Sequence, residues 1–280
     1  MIAEHPSAAE ITPRDIHFDV DPARVADWGG GDFVRTTFFN AMSILFPQGE
    51  RFFISSVAAF RDKITDPKLQ AEVKAFVMQE GLHTREHLAY NEVLAQIVDV
   101  NRLYDGVGAR IAFMKEHFSP LHHLAVTCAL EHFTAIMAHE ALQRPEYLDQ
   151  ALPSYRALWA WHALEECEHK SVAFDVYRLV TQGKSEWLRR RQMAIVTVNF
   201  LRDILINCYH IFKARNVHRS PVTWAKLGWF VLGKPGFLRN VVGPYLKYYK
   251  RDFHPSQIDD RSDRVRAQGM IAQYGAPAGA

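Results

Sequence analysis

Along most of this chain apolar residues recur at spacings of three and four, the period of an α-helix with one buried face. The pattern predicts helices over 33–45, 49–63, 67–98, 103–117, 120–143, 153–181 and 185–214, then shorter segments broken at GKPG and GP. Punctuation supports these boundaries. Asp66-Pro67 and Ser119-Pro120 each place a capping residue before a proline, which suits the first turn of a helix. FPQG at 46–49 reads as an interruption between the first two helices. No run alternates with the two-residue period of a strand, so the expected fold class is all-α. Residues 1–32 read as irregular, 33–215 as a helical bundle, 216–258 as a basic, aromatic helical extension packed on it, and 259–280 as a loose tail.

One stretch breaks the economy of this pattern. LWAWHALEECEHK, 158–170, crowds His162, Glu166 and His169 onto the stripe that also holds Leu158, Ala173 and Val176. At 3.6 residues per turn the three polar groups fall within an arc of about 60°. A carboxylate buried beside two imidazoles is costly unless something pairs with it. A metal ion, which takes neutral histidine and ionised glutamate, is the natural partner. MQEGLHTREHLAY repeats the trio in reverse as Glu80, His83 and His87, again on one narrow stripe. One E-x-x-H is weak evidence; two copies on two long helices are stronger.

Carboxylate-bridged dinuclear sites in four-helix bundles take E-x-x-H from two helices and a single Glu from each of the other two. Glu50, 30 residues before Glu80, and Glu131, 35 residues before Glu166, are single acids in apolar surroundings and fit that role. The candidate ligands are therefore Glu50, Glu80, His83, Glu131, His162, Glu166 and His169, with the four glutamates as the catalytic candidates and His87 as a further ligand or a partner behind the ligands. Glu165 sits at the edge of the stripe and Glu168 points away from it, toward solvent by this reading. His122, His123 and His139 have no matching partners.

Composition changes the picture only in part. With 280 residues, 48% hydrophobic and 23% charged, the chain suits one large domain or a domain with an extension, and extensive disorder is excluded. Cys128, Cys167 and Cys208 are sparse and form no CxxC pair, which favours a reducing compartment over a disulfide scaffold. The first residues carry acids and no apolar core of a signal peptide. MAIVTVNFLRDILINCYHIF, 193–212, has Arg202 and Asp203 at its centre and reads as a buried amphipathic helix rather than a membrane span. These features predict a cytoplasmic protein.

The net charge of +2 hides an asymmetry. From Ile204 to Arg251 there is no Asp or Glu but nine Lys or Arg, interleaved with Trp, Phe and Tyr. Such a surface can lie on an anionic bilayer at the inner face of a membrane, or guide a lipid-like substrate. The plainer reading is that the aromatics cap the bundle core while the basic groups face water. No nucleic-acid motif accompanies the charge, and nucleic acid is not expected as a partner.

The ordered set Glu50, Glu80-x-x-His83, Glu131, Glu166-x-x-His169 resembles the ferritin-like di-iron carboxylate superfamily, which implies a ferritin-like four-helix bundle with additional C-terminal helices. His162 resembles the extra histidine of the p-aminobenzoate N-oxygenase branch. FPQGERFF, QEGLHTREH, ALEHFTA, WHALEECEHKSVAFDVY and YYKRDFHP are similar to the bacterial family of predicted metal-dependent hydrolases, over most of 10–258. The superfamily resemblance implies two metal ions, iron first, with zinc or manganese as alternatives. It implies a di-iron oxygenase that uses O2 on a small apolar or lipid-like substrate. Lacking a flavin, nicotinamide or iron–sulfur fingerprint, such an enzyme needs a separate electron-donor reductase. The family name implies instead a metal-dependent hydrolase with a dinuclear site, and a non-catalytic metal-binding or membrane-associated protein is the third class.

Overall fold

A computed structural model of the chain describes residues 10–274, so part of the N-terminal stretch read for a signal and the end of the tail lie outside it. Among the described residues are twelve α-helices. They are α1 (Phe33–Ser43), α2 (Phe46–Ala58), α3 (Pro67–Leu94), α4 (Val100–His117), α5 (Pro120–Gln143), α6 (Pro145–Leu148), α7 (Pro153–His169), α8 (Val172–Thr181), α9 (Glu186–Ala214), α10 (Pro221–Leu232), α11 (Phe237–Lys247) and α12 (Arg261–Ile271). The fold is all-α; the sole β feature among the described residues is an isolated bridge between Gly29 and Ala151.

Four helices close a ring around the centre: α2 packs on α3, α3 on α7, α7 on α5 and α5 on α2. The remaining helices are laid over this ring. α9 lies against α1 and α5, α8 against α3 and α5, α10 against α1, α11 against α5, and α12 against α7 and α5. α4 stands out as the loosest of the long helices, with only Val100 and Leu103 buried.

Helix boundaries follow side-chain chemistry. Asp66 accepts from the Lys68 N–H ahead of Pro67, as a cap should. Asp99 accepts from Arg102 N–H and starts α4 three residues earlier than its apolar period suggests. FPQG does not interrupt a helix but opens α2, with Pro47 in the first turn, where its missing N–H costs nothing. Glu50 is thereby carried on the first turns of α2. The expected helix over 153–181 is split at Lys170–Ser171, immediately after His169.

The expected loose tail is also corrected. Residues 261–271 form α12, whose Asp263, Ala267 and Ile271 are buried, and Asp263 pairs with His139. The segment from 10 to 32 is irregular but docked. Ile16, Phe18 and Val20 are buried in alternation, and Trp161 Nε1–H donates to the Arg14 carbonyl. In the basic stretch the aromatics do cap the core. Phe230 and Phe237 pack on Phe38, and buried Arg189 lies beneath Tyr248 and Phe253. The three cysteines are buried and free.

Candidate metal centre

The four ring helices each send glutamate inward: Glu50 from α2, Glu80 from α3, Glu131 from α5 and Glu166 from α7. With His83, His162 and His169 they form one buried cluster, none of them more than 4% exposed. Two triads share no residue. In His83–His162–Glu166, and again in Glu80–Glu131–His169, one donor atom from each residue lies within 4.8 Å of the others. Glu50 forms a third such group with Glu80 and His83, beside the first two. All seven residues that the sequence singled out are thus brought together.

The donor atoms face one another rather than hydrogen-bond partners. His169 Nε2 lies 3.2 Å from Glu80 Oε1, 3.4 Å from Glu131 Oε2 and 3.7 Å from Glu166 Oε2. The 3.2 Å approach is close enough for an ion pair yet is not aligned as a hydrogen bond. Glu50 Oε1, both oxygens of Glu80 and of Glu131, Glu166 Oε2, both nitrogens of His83 and His169 Nε2 have no hydrogen-bond partner in the protein. Each such atom costs about 1–3 kcal/mol. Nine of them together rival the whole stability of a domain, about 5–15 kcal/mol. Divalent cations accept these oxygen and nitrogen donors, and the donor set fits them.

Proton positions point the same way. Asn91 donates through Nδ2 to the Ser43 carbonyl and to Tyr104 Oη, so its Oδ1 accepts from Ser43 Oγ–H at 2.9 Å. Ser43 has then spent its proton and accepts from His87 Nδ1–H, also at 2.9 Å. His87 Nε2 in turn accepts from His162 Nδ1–H at 2.8 Å. His162 Nε2 faces Glu166 Oε1 at 3.1 Å, and in a neutral ring that nitrogen is the one free to take a cation shared with the carboxylate. His87 hydrogen-bonds Ser43 through Nδ1 and His162 through Nε2, so it orients His162; with Glu50 and His162 it also makes a fourth candidate metal group.

His169 is oriented alike. Its Nδ1–H donates to Gln79 Oε1 at 2.9 Å, while Gln79 Nε2 donates to Glu168 Oε2 at 2.9 Å. Glu168 is not solvated, as the helical wheel suggested, but buried; it accepts from the Arg14 guanidinium and from Thr12 N–H. Its neighbour Glu165 lies 3.1 Å from His83 Nε2 and accepts from Arg14 N–H. Gln79, Ser43 and the Arg14 strap escaped the sequence reading. They lie off the E-x-x-H stripes, and only the polar neighbour of Glu80 hinted at one of them. Metal-binding histidines commonly have the distal nitrogen fixed in this way.

Without a cation the charges compete. Burial holds Glu50 and Glu131 well above the usual carboxylate range, reinforced by the nearby Glu80 carboxylate. Burial also raises Glu80, against the pull of His169. Burial would raise Glu166 as well, but His169 and His162 outweigh it and hold it well below. His169 is desolvated, yet Glu166 and Glu131 raise it well above an ordinary imidazole. His83 and His87 are pushed well below by burial and by His162.

A cavity of about 330 Å³ reaches this cluster. Glu50 and Glu166 stand at its buried end; Phe52, Phe53, Val126, Leu130 and Phe200 form apolar walls; Phe113, Arg191 and Ile195 lie at its exposed end.

A family model described as "predicted metal-dependent hydrolase" matches residues 12–259. The chain belongs to that family. No curated protein and no solved structure matches the chain. The family match opens at Thr12, so it takes in the Arg14 strap behind Glu165 and Glu168 as well as every candidate ligand. Its description names metal dependence and hydrolysis, whereas the sequence reading put oxygen activation first.

Proposed function

We propose that the chain is a dinuclear metal-dependent enzyme, of ferritin-like build, acting on an apolar substrate admitted through the 330 Å³ cavity. The observation that carries this reading is the pair of buried triads, His83–His162–Glu166 and Glu80–Glu131–His169, beside a largely apolar cavity that Glu166 and Glu50 line. His83, His162 and Glu166 would hold one ion, Glu80, Glu131 and His169 the other, and Glu50 lies between them and the cavity.

Hydrolysis is the reaction we place first, because the family description supports it. Two divalent ions supply polarisation of the substrate's carbonyl or phosphoryl oxygen and a more acidic water. The chain's own residues do the rest. The apolar walls hold the acyl or alkyl part and exclude bulk water. Thr84 Oγ1–H donates to Glu50 Oε2 at 3.0 Å and fixes that carboxyl, leaving Oε1 at the buried end of the cavity. Glu50 Oε1 is thus placed to accept or deliver a proton at the reacting bond. Glu80 and Glu131, which do not line the cavity, act only in holding charge.

A second reading, oxygen activation at two irons, is favoured by the donor count, four carboxylates to three imidazoles, and by cavity walls that are apolar over most of their surface. It requires reductant from a separate protein. One set of assays separates the two readings. The purified protein is loaded with zinc, manganese or iron and offered aryl esters and phosphoesters of increasing chain length under nitrogen. Turnover that depends on metal and on Glu50 supports hydrolysis. No turnover, with O2 consumed after chemical reduction of the iron form, replaces it by the second reading.

A further inference from the structure

α9 is long and apolar enough to cross a membrane by length and composition, yet one face is a wall of the bundle, with Arg189, Asp203 and Asn207 buried. Its other face is unusual. Trp187, Ile195, Val198 and Leu205 are exposed there, Trp187 and Val198 by 69% and 68%. Arg191, Arg202 and Lys213 are exposed among them, and no acid interrupts the series. The spacing is helical throughout, so these side chains form one stripe about 39 Å long. Its apolar members span about 27 Å, from Trp187 to Leu205, and a globular protein rarely leaves so long a row bare.

The stripe is continuous with the cavity. Arg191 and Ile195 belong to both, and exposed Phe113 and Phe118 of the loosely packed α4 edge stand across the opening. Asp203, next to Arg202 in the chain, is neutralised by Arg110 across that edge. Beyond it the chain runs to Arg251 without a single acid and with nine basic residues, while Trp229, Leu232 and Leu246 remain exposed.

We infer that the outward face of α9 docks on an anionic lipid membrane, and that the cavity takes its apolar substrate sideways from that membrane. Apolar side chains flanked by Arg and Lys are the chemistry that inserts at a lipid headgroup boundary. Charge decides against a second copy of this chain as the occupant. A symmetric pairing of two such stripes would gather both copies' Arg191, Arg202 and Lys213 in one interface, with no acid on the stripe to answer them. The docking half of the inference is independent of the enzyme reading; the substrate half rests on it.

The test uses the full-length, metal-loaded protein and sedimentation with vesicles of phosphatidylcholine alone or with phosphatidylglycerol. The expected result is binding to the anionic vesicles, weakened by salt and by loss of phosphatidylglycerol. Val198→Glu/Leu205→Glu should lower the partition coefficient by about tenfold or more, with metal content unchanged. The milder Val198→Ser/Leu205→Ser should show a smaller loss in the same direction. Equal binding to both vesicle types, no binding, or wild-type binding by both double variants would overturn the proposal. So would a wild-type dimer that these substitutions dissociate. Metal content, read on the same samples, keeps a failure of docking distinct from a failure of the metal centre.

Discussion

Gln79 Oε1 accepts the Nδ1–H of His169, and this 2.9 Å contact aims His169 Nε2 at three glutamates. Gln79 is held in that orientation by Glu168, which is itself anchored by Arg14. The relay runs from an N-terminal strap, through two side chains, to a candidate ligand.

Gln79→Leu should therefore weaken metal retention by about 10–100-fold, the usual cost of removing such a support. Glu168→Ala should do the same in lesser degree, where the sequence reading expects little effect. Chelator competition on both variants checks this. Retention equal to wild type in both would show that the relay does not orient His169.

Stability of the metal-free protein should fall as pH rises from 6.5 to about 8. Glu50, Glu131 and Glu165 keep protons in the native state that the unfolded chain releases near pH 4.5, Glu165 being pushed up to about 8 by burial against the pull of Arg14. His169 likewise keeps a proton that the unfolded chain loses near 6.5. The native state then binds more protons than the unfolded state, so the slope is negative. His83 and His87 are shifted the other way, but above pH 6.5 they are neutral in both states. Metal loading should release these protons, flatten the slope and tighten binding as pH rises. Thermal melts with and without metal check the sign.

Val196→Phe fills part of the cavity while leaving every donor atom in place. Metal content should stay at the wild-type level. KM for long-chain substrates should rise about tenfold, with short-chain substrates spared, since one misfitting group in an apolar pocket is worth about 1–3 kcal/mol. A chain-length series measures it, and an unchanged preference would mean that substrate does not occupy this cavity.

Much of the site was legible because helical periodicity converts spacing into direction. Glu80 and His83, or Glu166 and His169, must share a face wherever the helix lies. Glu50 and Glu131 follow from what two such helices lack, a carboxylate from each of the other two helices of a dinuclear bundle. Glu168 was misread for a physical reason: a helical wheel knows one core-facing stripe, but α7 is buried on nearly every side because residues 12–18 cover its far face. That cover comes from about 150 residues away, and no local pattern signals it. α12 was missed because its sequence is mostly polar, and its burial depends on three residues facing α5 and α7.

The central claim is that two ions sit in one pocket built by four helices, and metal counting tests it most directly. Wild-type protein, stripped and reloaded, should hold about two divalent ions per chain. Glu166→Ala and His169→Ala, each confirmed as folded by circular dichroism, should hold one or none. Two ions retained in both variants, or none in the wild type, would contradict the account.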